Sequence, residues 1–389
     1  MLTRRLLTKV TCTFASAALA AAVAACGASG GGQPADMITV SDNQCGGTWH
    51  VASPGWHTFQ INNQGTDGAD IDLTNPANGA VYDEIENSGP GTITPMALDV
   101  GSGKYAFLCL FSDTNPLVGP TVTVAGDVKG AQAVLPITYN ELIPVAKSYQ
   151  GVLEAGIKVL AGETDTLEAA VKSGNLTAAK SDWLTAHLQY QTLGDAYGAF
   201  GDYDTEIDGR ADAVGVNSPQ WTGFYRLEYG LWHGQSAAEL TPVARTLDSD
   251  VHGLLAWWPA QQIPLSDLGR RAHEVIENGL EFQLTGHDDY GSGTTLAAML
   301  ANIQASRTLL NLLKPLLTSR YPGLPPVYTD LDTLQSLLQK EHLPNGWWVP
   351  ESALPAQTRE QLDAACDQAL QDLAPIAAIT EPRNTANEL

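Results

Sequence analysis

The sequence predicts two folds in one chain: a small all-β sandwich over residues 37–126, followed by an all-α antiparallel helical bundle over residues 136–380. Apolar and polar residues alternate in the first region, as strands require, and apolar residues recur every three or four positions in the second, as amphipathic helices require. With 389 residues, the chain is also long enough for two domains. We therefore expect a multidomain protein.

The N-terminus has the pattern of a lipoprotein signal. Basic residues precede an apolar run that ends with Ala24 and Ala25 directly before Cys26. This pattern predicts a signal peptide over 1–25, removed after lipid is attached to Cys26, and a flexible Gly/Ser-rich tether over 26–36. The alternative is an ordinary N-terminal membrane helix. We expect a protein held by its lipid on the extracytoplasmic face of the cell membrane.

The chain is strongly acidic. Removal of residues 1–25 takes away three of the 20 basic residues and none of the 43 acidic ones, which leaves a formal charge of −26. Such a surface repels nucleic acid and attracts cations, so we expect no nucleic-acid partner. Solubility alone also explains this charge.

The strand region begins with Met37-Ile-Thr-Val-Ser and ends with Pro120-Thr-Val-Thr-Val, and Gly/Asn/Asp clusters separate its six short runs. This is typical of a β-sandwich. In an oxidising compartment, Cys45 and Cys109 are expected to form a disulfide, and Cys366 is left as a buried thiol. A blue-copper centre is disfavoured because residues 110–116, directly after Cys109, include no His or Met.

Two histidines near the start of the strand region, His50 and His57, leave a weaker copper or iron site open there. The helical region contains a denser acidic segment, in which six carboxylates fall within residues 195–212, among them Asp202. This density suits a hard cation, although the spacing is not that of an EF-hand loop. A solvated turn is the alternative.

A second segment, Gly223-Phe-Tyr-Arg-Leu-Glu-Tyr, places Tyr225 and Glu228 at i and i+3 and hence on one face of a helix. Glu228 has apolar neighbours and needs a partner, which we expect to be Arg226, a lysine or a metal. A third segment, Ala272-His-Glu-Val-Ile-Glu-Asn, places His273 and Glu277 at i and i+4. It is a metal half-site or an ordinary polar pair, and it lacks the zinc-protease pattern H-E-x-x-H.

Together, in this order, the three segments resemble the signatures of the EfeO family of extracytoplasmic iron-uptake proteins. The resemblance covers about residues 37–380. It implies a cupredoxin-like sandwich joined to an imelysin-like (peptidase-like) bundle. The family's metal motif H-x-x-E falls on Tyr225 to Glu228, so tyrosine replaces the histidine; its Glu-x-x-x-Glu pair falls on Gly194 and Gly198.

The resemblance therefore implies either a lost metal site or one rebuilt from Tyr225, Glu228, His273, Glu277 and the acidic loop residue Asp202. We expect a non-enzymatic protein that captures Fe³⁺ or Fe²⁺, with Cu²⁺ and Zn²⁺ as alternatives, and delivers it to a membrane permease. The competing expectation is a metal-free scaffold or ligand-binding lipoprotein. No nucleophile–base pair or three-ligand zinc set indicates a peptidase.

Overall fold

A computed structural model describes residues 36–111 and 115–381 of the chain. The predicted signal peptide, Cys26 and the tether up to residue 35 lie outside these described residues. Within them, no helix combines the length and the apolar character needed to cross a membrane. The strands come first, with the bounds β1 Asp36–Ser41, β2 Gln44–Cys45, β3 Gly55–Asn63, β4 Ala69–Thr74, β5 Val81–Ser88, β6 Ile93–Val100, β7 Gly103–Phe111, β8 Leu117–Val118 and β9 Val122–Val124.

These strands form two sheets. One has the order β2-β1-β3-β6, with β1 parallel to β3, and the other has the order β5-β4-β7-β8, with β9 also paired to β7. Alternate residues of both sheets point inward and meet in a single core, which includes Ile38, Phe59, Ile71, Met96 and Phe107. Because each strand buries one face and exposes the other, the two sheets close as a sandwich. The predicted all-β fold is confirmed.

The Cys45–Cys109 disulfide is present and links β2 of one sheet to β7 of the other, with the two Cα atoms 5.8 Å apart. The Cys109 sulfur is thereby withheld from a metal. His57 is buried, stacks on Phe59, and has its Nε2 2.7 Å from the Ser53 carbonyl oxygen. Cys366 is free and buried, as expected.

The helices follow, with the bounds α1 Tyr139–Lys172, α2 Leu176–Gln191, α3 Asp202–Asp208, α4 Gly223–Trp232, α5 Ala237–Trp257, α6 Asp267–Asn278, α7 Thr295–Leu317, α8 Leu324–Gln339 and α9 Ala356–Thr380. Thr138 and Glu141 form a capping box that fixes the start of α1. Helix α7 is buried on most sides, and the helices share one continuous core. The predicted all-α bundle is confirmed.

Two local features shape the region around α4. Gly223, the first residue of α4, has φ +84°, and a Cβ at this position would clash with the Ile207 carbonyl oxygen at the end of α3. Helix α6 continues into a π-helical turn, Gly279–Gln283. Such turns are rare and frequently occur at functional sites, because the extra residue re-aims the following side chains.

Candidate metal-binding cavity

A cavity of about 440 Å³ lies inside the bundle, between α2, α3, α4, α6, the π-helical turn and α7. Its walls carry an unusual share of polar side chains for a helical core, among them Asp204, Asp208, Tyr225, Gln283 and Asn302. Buried polar groups of this kind require hydrogen-bond partners or an ion. The partners therefore decide what the cavity can hold.

Tyr225 is almost fully buried, and its hydroxyl donates to Asp288 Oδ2 over 2.9 Å. Gln283 Nε2 donates to the same oxygen over 2.6 Å, and Asn302 Nδ2 donates to Gln283 Oε1 over 3.1 Å. Two buried acceptors remain, Asp288 Oδ1 and Asn302 Oδ1, and neither has a hydrogen-bond partner among the described residues. Two buried acceptor oxygens without a hydrogen-bond donor are groups that a bound cation would satisfy.

His187 and Asp208 form a second polar pair beside Tyr225. His187 Nε2 lies 3.2 Å from Asp208 Oδ1, and Gln191 Nε2 donates to Asp208 Oδ2 over 3.0 Å. The imidazole ring of His187 is buried, 5.2 Å from the Tyr225 ring between centroids. The phenol, the imidazole and the carboxylates of Asp208 and Asp288 thus belong to one cluster at the wall of the cavity. Tyr225 and Asp208 line the cavity, whereas His187 and Asp288 lie behind them, in contact with Asp208 and Tyr225.

The electrostatics of the cavity favour a bound cation. Burial, together with the nearby carboxylate of Asp208, raises the pKa of Asp204 to about 6. Burial also raises the pKa of Asp288, and it raises the pKa of Tyr225 well above that of a free phenol. A cation in the cavity would counter these effects, because it favours the ionised form of each group.

The two arginines that line the cavity are already engaged by other carboxylates. Arg210 Nε lies 3.6 Å from Asp212, and Arg271 Nη1 donates to Glu274 over 2.8 Å. They soften the negative potential but do not form ion pairs with Asp204 or Asp208. Gly198 also lines the cavity, and the Arg271 guanidinium fills the space where a Cβ at this position would lie.

Among the five residues predicted as metal ligands, only Tyr225 lines this cavity. Glu228 is 1% exposed, and its Oε1 accepts hydrogen bonds from the backbone N–H of Tyr290 and Ser292, over 3.1 and 2.9 Å. The expected partner of Glu228 (Arg226, a lysine or a metal) is therefore replaced by two amides. Burial raises the pKa of the Glu228 carboxyl well above its usual value.

The shared face predicted for Tyr225 and Glu228 does exist, because both side chains contact the segment 288–292. His273 and Glu277 lie elsewhere. Their Nδ1 and Oε2 atoms are 3.7 Å apart on the outer side of α6, where Glu277 is exposed. Residues 271, 275 and 278 of α6 line the cavity, and at 100° per residue positions 273 and 277 point away from it.

Asp202 is the first residue of α3 and is exposed, whereas Asp204 and Asp208 of the same helix reach the cavity. The sequence argument singled out none of His187, Gln191, Asp288 and Asn302. They lack a motif of their own, because they converge only through tertiary packing. Asp208 carried a signal, as one of the six carboxylates of the acidic segment.

A separate cluster of possible ligands lies on the surface between α1 and α5. Ligand atoms of Asp165, Asp248 and His252 lie within 4.8 Å of one another, and in the part of the chain that the structure describes they are the one His/Cys/carboxylate trio this close. His252 Nε2 is 3.2 Å from Asp165, and Thr164 donates to Asp248 over 2.9 Å. None of these residues lines the cavity.

Comparison with known proteins gives two findings. The family model described as imelysin matches residues 145–377. Over nearly the whole chain, the sequence is similar to proteins named "Iron uptake system component EfeO". The relative from Yersinia pestis is 27% identical over 346 residues (88% of this chain, 90% of the relative), and that from Escherichia coli strain K12 is 26% identical over 351 residues (90% and 89%).

Proposed function

This chain belongs to the imelysin family, and we propose that it is a component of an extracytoplasmic iron-uptake system that holds an iron ion in the cavity beside Tyr225. The names of its relatives support the iron-uptake role. The observation that carries the cavity assignment is the buried network of Tyr225 and Asp288, in which two oxygens lack partners. In this proposal the protein is a carrier and not an enzyme.

The donor set favours Fe³⁺ as the cargo. Carboxylate oxygens are hard ligands, tyrosine oxygen is an established iron ligand, and imidazole binds iron as well as Zn²⁺ and Cu²⁺. We assign Tyr225, Asp208 and Asp288 as ligands, with His187 and Asp204 as further donors within the cluster. Because burial keeps the phenol protonated, iron must displace its proton, so binding releases protons and weakens as the pH falls.

Exported and lipid-anchored through Cys26, the protein would stay beside a membrane permease and deliver the ion to it. The acidic surface, at −26 after loss of the signal peptide, raises the local concentration of cations and repels nucleic acid. In this proposal, the lipid anchor and the acidic surface both assist the transfer of iron to the permease. A metal-free scaffold or ligand-binding lipoprotein is the alternative.

The test is titration of the purified protein with Fe³⁺, followed by its visible absorption. Tyrosinate bound to Fe³⁺ gives a charge-transfer band, so the wild-type protein should develop one and Tyr225→Phe should not. Tyr229→Phe is the matched control, because Tyr229 lies on the same helix without lining the cavity. Asp208→Asn should weaken binding at least about tenfold, whereas the exposed Asp202→Asn should not.

Two results would contradict this proposal. Iron binding that survives both Tyr225→Phe and Asp208→Asn would place the ion elsewhere. Loss of binding in His252→Ala would then locate it at the surface cluster of Asp165, Asp248 and His252. No iron binding by the wild-type protein would overturn the carrier proposal and leave the metal-free alternative.

A further inference from the structure

A second cavity, of about 490 Å³, lies on another face of α4, and nothing in the proposed iron chemistry uses it. Thr222, Arg226 and Tyr229 line it, and their spacing of four and three residues follows one stripe of the helix. Trp221 and Val243 are among its apolar lining residues. We refer to this cavity as the Arg226 pocket.

Arg226 differs from the other described arginines because it has no carboxylate partner. The structure describes eight arginines, and seven of them have a carboxylate oxygen within 4.0 Å: Arg210, Arg245, Arg270, Arg271, Arg307, Arg320 and Arg359. Arg226 has no such partner among the described residues. The chain has 43 acidic residues, so the missing ion pair does not result from a shortage of carboxylates.

The described neighbours of Arg226 give its charge no ion-pair partner. Its Nη1 donates to the neutral Gln235 Oε1 over 3.0 Å. The carboxylate of Glu239 attracts Arg226 electrostatically but forms no ion pair with it. That carboxylate caps α5, where it accepts hydrogen bonds from the Ser236 N–H and hydroxyl over 2.8 and 2.6 Å. Arg226 is half-buried, and this burial lowers the pKa of its guanidinium. A partly desolvated cation gains from an anion brought to it.

The rest of the pocket sets the shape of that anion. The rings of Trp221 and Tyr229 both line the pocket, 5.8 Å apart between centroids at an angle of 54°; Trp221 is mostly buried, and Tyr229 is partly exposed. Trp221 is held in place because its Nε1 donates to the Gly209 carbonyl over 2.8 Å. A single guanidinium balances a single negative charge, and its planar fork matches a carboxylate. The volume suits a small organic molecule.

We propose that the Arg226 pocket binds a small carboxylate-bearing molecule, with the carboxylate on the Arg226 guanidinium and the carbon skeleton against Trp221 and Tyr229. This site is distinct from the iron cavity. Trp221, Arg226 and Tyr229 do not line that cavity, and Tyr225 and Asp208 do not line this pocket. The inference therefore stands whether or not the protein carries iron.

The test uses calorimetry on the metal-free full chain, with benzoate as the probe and benzamide as its neutral counterpart. We expect benzoate to bind and benzamide to bind at least about tenfold more weakly, since only benzoate can pair with the guanidinium. Arg226→Gln should weaken benzoate binding by a similar factor. Arg307→Gln is the control, because it removes the same charge from the ion pair with Asp332 and leaves the pocket intact.

A second variant keeps the test valid if Arg226→Gln does not fold. Thr246 lines the pocket and is exposed, so Thr246→Trp should fill the pocket without disturbing the core, and it should abolish benzoate binding. Unchanged binding in Arg226→Gln or in Thr246→Trp would overturn the proposal. So would the failure of benzoate and acetate to bind, or binding of inorganic phosphate without any carboxylate.

Discussion

Replacement of Glu228 separates a structural role from a ligand role. Its Oε1 accepts the backbone N–H groups of Tyr290 and Ser292, two residues of the loop that follows Asp288. Glu228→Ala would leave both amides without an acceptor, and each buried unsatisfied group costs about 1–3 kcal/mol. We therefore expect Glu228→Ala to lower the free energy of unfolding by about 3 kcal/mol or more.

Glu228→Gln should behave differently, because it keeps an acceptor oxygen and removes the charge. Burial raises the pKa of the folded-state carboxyl, so the folded protein binds its proton at pH values where the unfolded chain, with a pKa near about 4.3, has released it. The contribution of this proton to stability is complete below the unfolded pKa and is lost as the pH rises towards the folded one. The glutamine variant should lack this decline.

Urea unfolding at pH 5 and pH 8 measures both effects. We expect Glu228→Gln to match or exceed the wild-type stability at pH 8, and Glu228→Ala to be less stable at both values. The reasoning is refuted if the two variants lose equal stability, or if Glu228→Ala loses less than about 1 kcal/mol. Iron binding adds a further check, because a ligand role predicts its loss in Glu228→Gln, whereas a carboxyl that only accepts the Tyr290 and Ser292 amides predicts its retention.

Three further predictions concern single sites. Asp204→Asn should stabilise the metal-free protein by up to about 3 kcal/mol at neutral pH, because a carboxyl whose pKa is raised to about 6 destabilises the fold above that pH and not below about pH 4. Iron affinity in the wild-type protein should fall as the pH drops through about 6; a flat pH profile in calorimetry, or a less stable Asn variant in urea unfolding, would contradict this. Cys45→Ser opens a loop with a sequence separation of 64 and should cost about 4 kcal/mol in urea unfolding, with reduction of the wild-type protein giving a matching loss. Gly223→Ala should lower the free energy of unfolding by about 2 kcal/mol or more, because the φ of +84° suits glycine and a Cβ would clash with the Ile207 carbonyl. A thermal unfolding midpoint of the variant equal to that of the wild-type protein would contradict this prediction.

The architecture could be predicted because its signals are local. Alternation in the strands and three-to-four spacing in the helices depend only on which face of each element is buried. The disulfide could be predicted from the count of cysteines in a chain that we expect to be exported. Element ends were less predictable, since α4 begins at Gly223 because of a tertiary constraint: the chain turns there with positive φ against α3.

The cavity could be predicted only in part, because its composition depends on which helix faces meet. The sequence pattern placed His273 and Glu277 on one stripe of α6, but it could not tell that the stripe through Arg271 and Val275 is the one turned inward. The π-helical turn adds a second obstacle. It brings Gln283 to Asp288, and a regular helix would have aimed that residue elsewhere.

Helix α4 concentrates three distinct roles within four residues, and its geometry explains why they do not interfere. Tyr225 faces the proposed iron cavity, Arg226 faces the second pocket, and Glu228 holds the loop that carries Asp288. Successive residues are turned by 100°, so neighbouring positions open into different cavities, while positions 225 and 228 share a face. The resemblance implies a histidine at position 225, and this position opens into one cavity only, so the tyrosine bears on the chemistry of that cavity alone. The Tyr225 phenol contacts Asp288 and supplies an oxygen donor, which favours Fe³⁺ as the cargo of the proposed carrier.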